Sequence, residues 1–288
     1  MKLASYSVDG KSSYGIVAGE GVIDLGSRLG DESPTLRALI GNGFRGAREI
    51  AENTSADYAI GAVELAPVIP DPGAVWCCGL NTHSHFEETK HLFGHKEPPQ
   101  VPMFFLRSRH TLVGSGQPIE KPALETDFDY EGEIALIIGE RCRNVSVADA
   151  LKHIAGYACF NDGSARQYQI RSHQVTTGKN AYHSGGFGPW MVTADKVDMN
   201  DLTLQTRVNG DVRQNMKIDD LVFSFADLIS HISEVTWLEP GDVIVTGSPE
   251  GAGALRDPQV FLQEGDLVEV EVSGVGVLSN SVIEQKLR

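Results

Sequence analysis

One stretch constrains this chain more than any other: Asp127-Phe128-Asp129-Tyr130-Glu131-Gly132-Glu133-Ile134-Ala135-Leu136-Ile137-Ile138-Gly139. The apolar, largely β-branched run from Ile134 to Ile138, closed by Gly139, reads as a β-strand. Side chains alternate along a strand, so Glu131 and Glu133 share one face while Ile134, Leu136 and Ile138 share the opposite, buried one. Two carboxylates at neighbouring same-face positions repel unless positive charge lies between them. Such a pair is either a solvated strand face or a set of oxygen ligands for a hard divalent cation such as Mg²⁺ or Mn²⁺.

Composition narrows the surroundings. The chain has 288 residues, 41% hydrophobic and 22% charged, enough for one large domain with a small companion. A formal net charge of −15 and the lack of any basic run argue against nucleic acid. An anionic metabolite would need a local cation or metal to override that field. The first ten residues hold no apolar signal core and no stretch is long enough to span a membrane, so a cytoplasmic location is expected. Cys77, Cys78, Cys142 and Cys159 form no Cys-x-x-Cys pair and read as reduced thiols.

Residues 1–68 read as a small N-terminal domain. Strands are expected at 3–8 and 14–17, with a turn at Gly19-Glu20-Gly21 leading into 22–25. A short helix opens at Ser33 as N-cap with Pro34 in its first position, and another covers 46–52. Pro67, Pro70 and Pro72 mark a linker into a second domain at 69–288. After a buried strand at 75–79 comes a polar segment containing His83, His85, Glu88 and His91. It reads as a helix capped by Asn81 or Ser84, with His85 and Glu88 on one face. A carboxylate beside an imidazole fixes its tautomer, which suits a general base acting on water. A solvated loop and a His83/His85/His91 zinc site are the alternatives, the latter without a His-Glu-x-x-His pattern. Residues 95–102 read as a proline-containing loop, and the whole polar segment 83–102 is expected to be mobile while the site is empty and to close over bound substrate, bringing His85 and Glu88 into place.

Further along, residues 103–106 are an apolar strand and 147–155 a short helix. The strand at 157–161 ends in Asp162, a third carboxylate where a side chain can turn into a pocket. Arg166 and Gln169 follow at helical spacing. Gly178-Lys179 lacks the upstream glycine of a phosphate loop. Asn209-Gly210 signals a hairpin, residues 223–235 an amphipathic helix capped by Ser224, and Thr246-Gly247-Ser248 a tight turn after a buried strand. Residues 267–277 alternate as closing strands.

Five motifs stand in one order: Gly79-x-Asn81 with His85 and Glu88, Glu131-x-Glu133, Asn161-Asp162-x-x-Ala165-Arg166, Gly178-Lys179, and Glu239-Pro240-Gly241-Asp242-Val243-Ile244-x-Thr246-Gly247. Together they resemble the fumarylacetoacetate hydrolase superfamily over residues 65–288, in its acylpyruvate hydrolase-like and 2-hydroxyhepta-2,4-diene-1,7-dioate isomerase-like branch. The resemblance implies an α+β, β-rich fold, a mixed β-roll or β-sandwich catalytic domain, and a homodimer. It implies one Mg²⁺ or Mn²⁺ per subunit on Glu131, Glu133 and Asp162. Members cleave C–C bonds in β-diketo acids such as acylpyruvates, a chemistry of aromatic catabolism. Relatives decarboxylate oxaloacetate or isomerise hydroxymuconate-type diacids.

Carried onto this chain, the resemblance makes His85, oriented by Glu88, the activator of water, and Lys179 the group that offsets developing negative charge. Arg166, Gln169, Gly247 and Ser248 would hold the substrate's polar groups. The expected activity is hydrolysis of an acylpyruvate or fumarylpyruvate, with decarboxylation, isomerisation or non-catalytic binding as alternatives. The chain departs from the family pattern at Leu80, Thr82, Gly163, Ser164, Gln167, Asn180, Ala181, Tyr182 and Ser248, which bears on the substrate and leaves the carboxylates intact.

Overall fold

A computed structural model of the chain describes residues 1–93, 96–171 and 174–286. It begins with β1 (Lys2–Val8), β2 (Lys11–Ala18) and β3 (Gly21–Asp24), then α1 (Leu36–Gly41) and α2 (Ala47–Asn53). Asp9 and Gly10 both adopt positive φ, as the two-residue turn between β1 and β2 requires. The cap of α1 is Thr35, whose Oγ1 accepts from the Ala38 amide at 3.1 Å. Ser33, expected in that role, is buried, with its carbonyl taken by the Tyr14 hydroxyl and its own hydroxyl by Asn42.

The chain continues through β4 (Val75–Gly79), α3 (His83–Phe93), β5 (Met103–Leu106), β6 (Ile119–Lys121), β7 (Gly132–Ile138) and β8 (Ile154–Asn161). Residues 147–155 hold only a helical turn at Val147–Ala150 and a 3-10 turn at Leu151–His153, because Ile154 already enters β8. Next come α4 (Arg166–Ile170), α5 (Thr176–Lys179), β9 (Gly185–Thr193), the hairpin β10 (Thr203–Val208) and β11 (Asp211–Lys217), and α6 (Phe225–Val235). A capping box between Ser224 and Asp227 starts α6. β12 (Val243–Val245), β13 (Leu267–Val272) and β14 (Gly276–Glu284) finish the chain.

The fold is α+β and β-rich. Its main sheet runs β3-β2-β1-β9-β8-β7-β12-β4-β5, with shorter pieces at its margins. β1 pairs antiparallel with β9, Leu3 opposite Met191, so the N-terminal strands continue the sheet of the larger part. A second sheet, β11-β10-β13-β14-β6, packs against it. β7 lies centrally, antiparallel to β8 and β12. Ile134, Leu136 and Ile138 meet Leu204, Val270 and Leu278 of the second sheet and Phe225, Leu228 and Ile229 of α6. Ala135 and Ile137 face the other way, into a core closed by Leu36, Leu39 and Ile40 of α1. Both faces of β7 are therefore buried, where the alternation suggested one. The N-terminal helices supply the second cover. Among the described residues no helix is long and apolar enough to cross a membrane.

Candidate metal centre and catalytic dyad

β7 and β8 build the centre by their register. Gly132 lies opposite Asn161, so Glu131, Glu133 and Asp162 converge at one end of the two strands, and the Asp162 amide donates to the Glu131 carbonyl at 2.7 Å. One carboxylate oxygen from each of the three lies within 4.8 Å of the others. Glu131 is 7%, Glu133 2% and Asp162 0% exposed, which rules out a solvated strand face. Three hard anionic oxygens on paired strands fit Mg²⁺ or Mn²⁺. Gly247 helps to shape the set, its amide donating to Glu133 Oε2 at 2.5 Å. Its φ is +106° and a Cβ there would lie 2.7 Å from that of Asn81, so only glycine gives the amide this approach.

Buried cations neutralise part of the cluster. Lys179, at the end of α5, donates to Glu131 Oε2 at 2.5 Å and to Asp162 Oδ2 at 2.7 Å. Arg107 donates to Asp162 Oδ1, to the Gly163 carbonyl and to the Ser184 hydroxyl. Arg166 Nη2 lies 2.7 Å from both Glu131 Oε1 and Asp129 Oδ2. Burial alone would raise the Glu131 pKa, but Lys179, Arg166 and His85 outweigh it and hold the carboxyl below the usual range. Burial also works against the Lys179 ammonium, yet Asp162 and Glu131 keep it charged. Among the described residues Glu133 forms no ion pair, and nearby Lys179 and the Gly247 amide only partly offset its surroundings. Burial, then Asp162 and Glu131, push its pKa well above the ordinary carboxylate value. A divalent cation here would meet the one carboxyl of the three that has no direct ion pair among the described residues.

The dyad stands on α3. Thr82, and not Asn81 or Ser84, caps this helix, its Oγ1 accepting from the His85 amide at 3.2 Å. Asn81 is spent on the Thr246 and Phe223 carbonyls and the Phe223 amide, and Ser84 on Asp220. His85 Nδ1 lies 3.3 Å from Glu88 Oε2, and Glu88 Oε1 accepts from the Gly251 amide at 3.1 Å. Residues 83–93 of that segment form a helix whose Phe86 and Thr89 are buried, so this part is packed on the rest of the fold and is not an irregular loop. Gly94 and His95, in the stretch expected to be mobile, lie outside the described residues. His83 and His91 are exposed, and the described residues bring no histidine cluster together.

The other expected residues gather at the same place. Gln169 Oε1 accepts from Arg166 Nη1 at 3.0 Å, and the Ser248 hydroxyl accepts from buried Gln214 at 2.8 Å. Sequence reasoning missed Arg107 and Asp129. An arginine directly after the apolar run 103–106 of an acidic chain was the signal for the first. Asp129 stood two residues before Glu131, on the same face by strand alternation.

Residues 74–283 match the family described as Fumarylacetoacetate (FAA) hydrolase C-terminal. Over 222 residues the chain is 36% identical to the mitochondrial oxaloacetate tautomerase fahd2 of Xenopus laevis, covering 76% of this chain and 68% of that one. The maleylpyruvate hydrolase of Sphingobium sp. SYK-6, solved with manganese(II) and pyruvate, superposes with a TM-score of 0.81 at 29% identity, covering 99% of this chain and 100% of that one. The 5-carboxymethyl-2-hydroxymuconate delta-isomerase of Mycobacterium smegmatis gives 0.78 at 29% identity, with both chains fully covered.

Proposed function

The chain belongs to the fumarylacetoacetate hydrolase family, and from that premise we propose that it catalyses metal-dependent keto–enol interconversion of a 2-oxo acid with a second carbonyl one carbon further on, oxaloacetate first among them. One observation carries this reading: a buried three-carboxylate cluster, bridged by Lys179, with an imidazole paired to Glu88 near enough to act on Glu131 electrostatically. Glu131, Glu133 and Asp162 would hold Mg²⁺ or Mn²⁺, which supplies Lewis acidity to the substrate's carboxylate and keto oxygens.

The chain's own groups do the rest. Glu88 accepts the Nδ1 proton of His85, which leaves Nε2 free to move a proton to or from the carbon between the two carbonyls. Gly251 holds Glu88 in place through its amide. The Lys179 ammonium offsets negative charge on the enol oxygen. Arg166, Gln169 and Ser248 face the substrate's polar groups, while Gly247 serves through Glu133. A cytoplasmic homodimer, with the chemistry in residues 69–288, belongs to the same proposal.

Likeness to the maleylpyruvate hydrolase supports a second reading, C–C hydrolysis of an acylpyruvate. There the same His85 would take a proton from water instead of carbon. Product analysis separates the two. Enol-oxaloacetate and a panel of acylpyruvates are offered to Mg²⁺-loaded protein, and ketonisation, pyruvate and CO₂ are followed together. Accelerated ketonisation without pyruvate or CO₂ supports the first reading, and stoichiometric pyruvate from an acylpyruvate the second. If the protein accelerates neither, both are wrong.

A further inference from the structure

Asp129 ligates nothing in the cluster, yet its carboxylate is wholly buried and fully engaged. Oδ1 accepts from the amides of Tyr130 at 2.9 Å and Gly253 at 2.8 Å. Oδ2 accepts from the Ala254 amide at 3.0 Å and from Arg166 Nε and Nη2 at 2.9 and 2.7 Å. A Cβ on Gly253 would come within 2.7 Å of Oδ1 and 1.9 Å of the Val260 carbonyl, so glycine permits the loop to close on this carboxylate.

The two sets of contacts lead to different parts of the site. Arg166 continues to Glu131 Oε1 at 2.7 Å. The loop at 250–254 continues to α3, because the Gly251 amide donates to Glu88 Oε1 and the Glu250 amide donates to the Ser84 hydroxyl. Tyr130, next to Asp129, adds a hydroxyl that donates to the Gly251 carbonyl at 3.0 Å. Charge-assisted hydrogen bonds of this kind are short and directional, and outer groups that orient metal ligands commonly change metal affinity 10–100-fold when altered.

We infer that Asp129 is a positioning residue that couples the two halves of the site. Through Arg166 it fixes the Glu131 carboxylate, and through the 250–254 loop it fixes Glu88 and hence His85. The inference rests on the site assigned above, but its tests need no turnover. A purely local role, as a cap for the turn at Gly253–Leu255, would cost stability and leave metal affinity alone.

Asp129→Asn preserves shape and can still accept from Gly253, but it turns an amide donor toward the Arg166 donors. Mn²⁺ affinity, read from the free-ion electron paramagnetic resonance signal, should fall about tenfold or more. Arg166→Met tests the same link from the other side. Arg166 has no hydrogen bond to the 250–254 loop, so hydrogen exchange at Gly251, Gly253 and Ala254 should quicken several-fold only if Asp129 transmits the change. Wild-type Mn²⁺ affinity in folded Asp129→Asn, or wild-type loop exchange in Arg166→Met, overturns the inference. If Asp129→Asn does not fold, the Arg166→Met loop decides alone. Failure of the wild-type protein to bind Mn²⁺ defeats the functional reading instead, and loop exchange still decides the coupling.

Discussion

Replacing Lys179 with methionine isolates the electrostatics of the centre. The side chain keeps its length and loses its charge, and two carboxylates lose charge-assisted hydrogen bonds of 2.5 and 2.7 Å. Both partners are buried, so water cannot replace the ammonium. Removing one member of a buried ion pair costs roughly 3–5 kcal/mol. For a chain of this size each kcal/mol moves the melting temperature by about 2–4 °C, so the melt in chelator should drop by roughly 6–20 °C. Mg²⁺ or Mn²⁺ should restore much of it, since the cation takes over the neutralising charge. A ligand at 100 times its dissociation constant adds about 2.7 kcal/mol to the folded state. The variant should gain more from metal than the wild type, where the cation competes with the ammonium for Glu131 and Asp162. Differential scanning fluorimetry in chelator and across a metal titration reads both effects. Equal melting of variant and wild type in chelator, or equal gains from metal, would refute the reasoning.

Three further outcomes follow from the same geometry. His85→Ala should lower turnover by about 10²–10⁴-fold with Mn²⁺ affinity nearly intact, and Glu88→Gln should lower it less, both read by steady-state kinetics beside metal titration. Burial pushes the Cys78 and Cys159 thiols up to about 12 and Cys142 to about 11, with Cys77 raised as well, so an aromatic disulfide reagent at about pH 8 should find four thiols only after denaturation. Leu228→Ala, in the core between α6 and β7, should cost about 2–5 kcal/mol in urea unfolding without changing metal affinity.

The three carboxylates were legible because strand alternation is a local rule: Glu131-x-Glu133 declares a shared face, and an apolar strand that ends in Asp162 declares a rim. His85 and Glu88 were legible for a similar reason, helical spacing. What the sequence concealed depends on contacts between distant segments. Lys179 was named only through the family resemblance, and its ion pairs were hidden: α5 brings it against Glu131 and Asp162, 48 and 17 residues away in sequence. Arg107 meets Asp162 across 55 residues. The second buried face of β7 comes from α1, about a hundred residues upstream. The cap of α3 shifted to Thr82 because Asn81 and Ser84 are claimed by distant loops, a competition no local pattern records. Those claims also anchor residues 83–93, so slow amide exchange is expected there in the metal-free protein.

The most direct test of the central claim is the ketonisation rate of enol-oxaloacetate as Mn²⁺ is titrated into chelator-stripped protein, for wild type and Glu133→Gln. The expected wild-type rate rises with bound metal and levels off at one Mn²⁺ per chain, while Glu133→Gln, folded by the same melting criterion, needs far more Mn²⁺ to reach any plateau. A full rate in the stripped protein, or identical titrations for the two proteins, would contradict it.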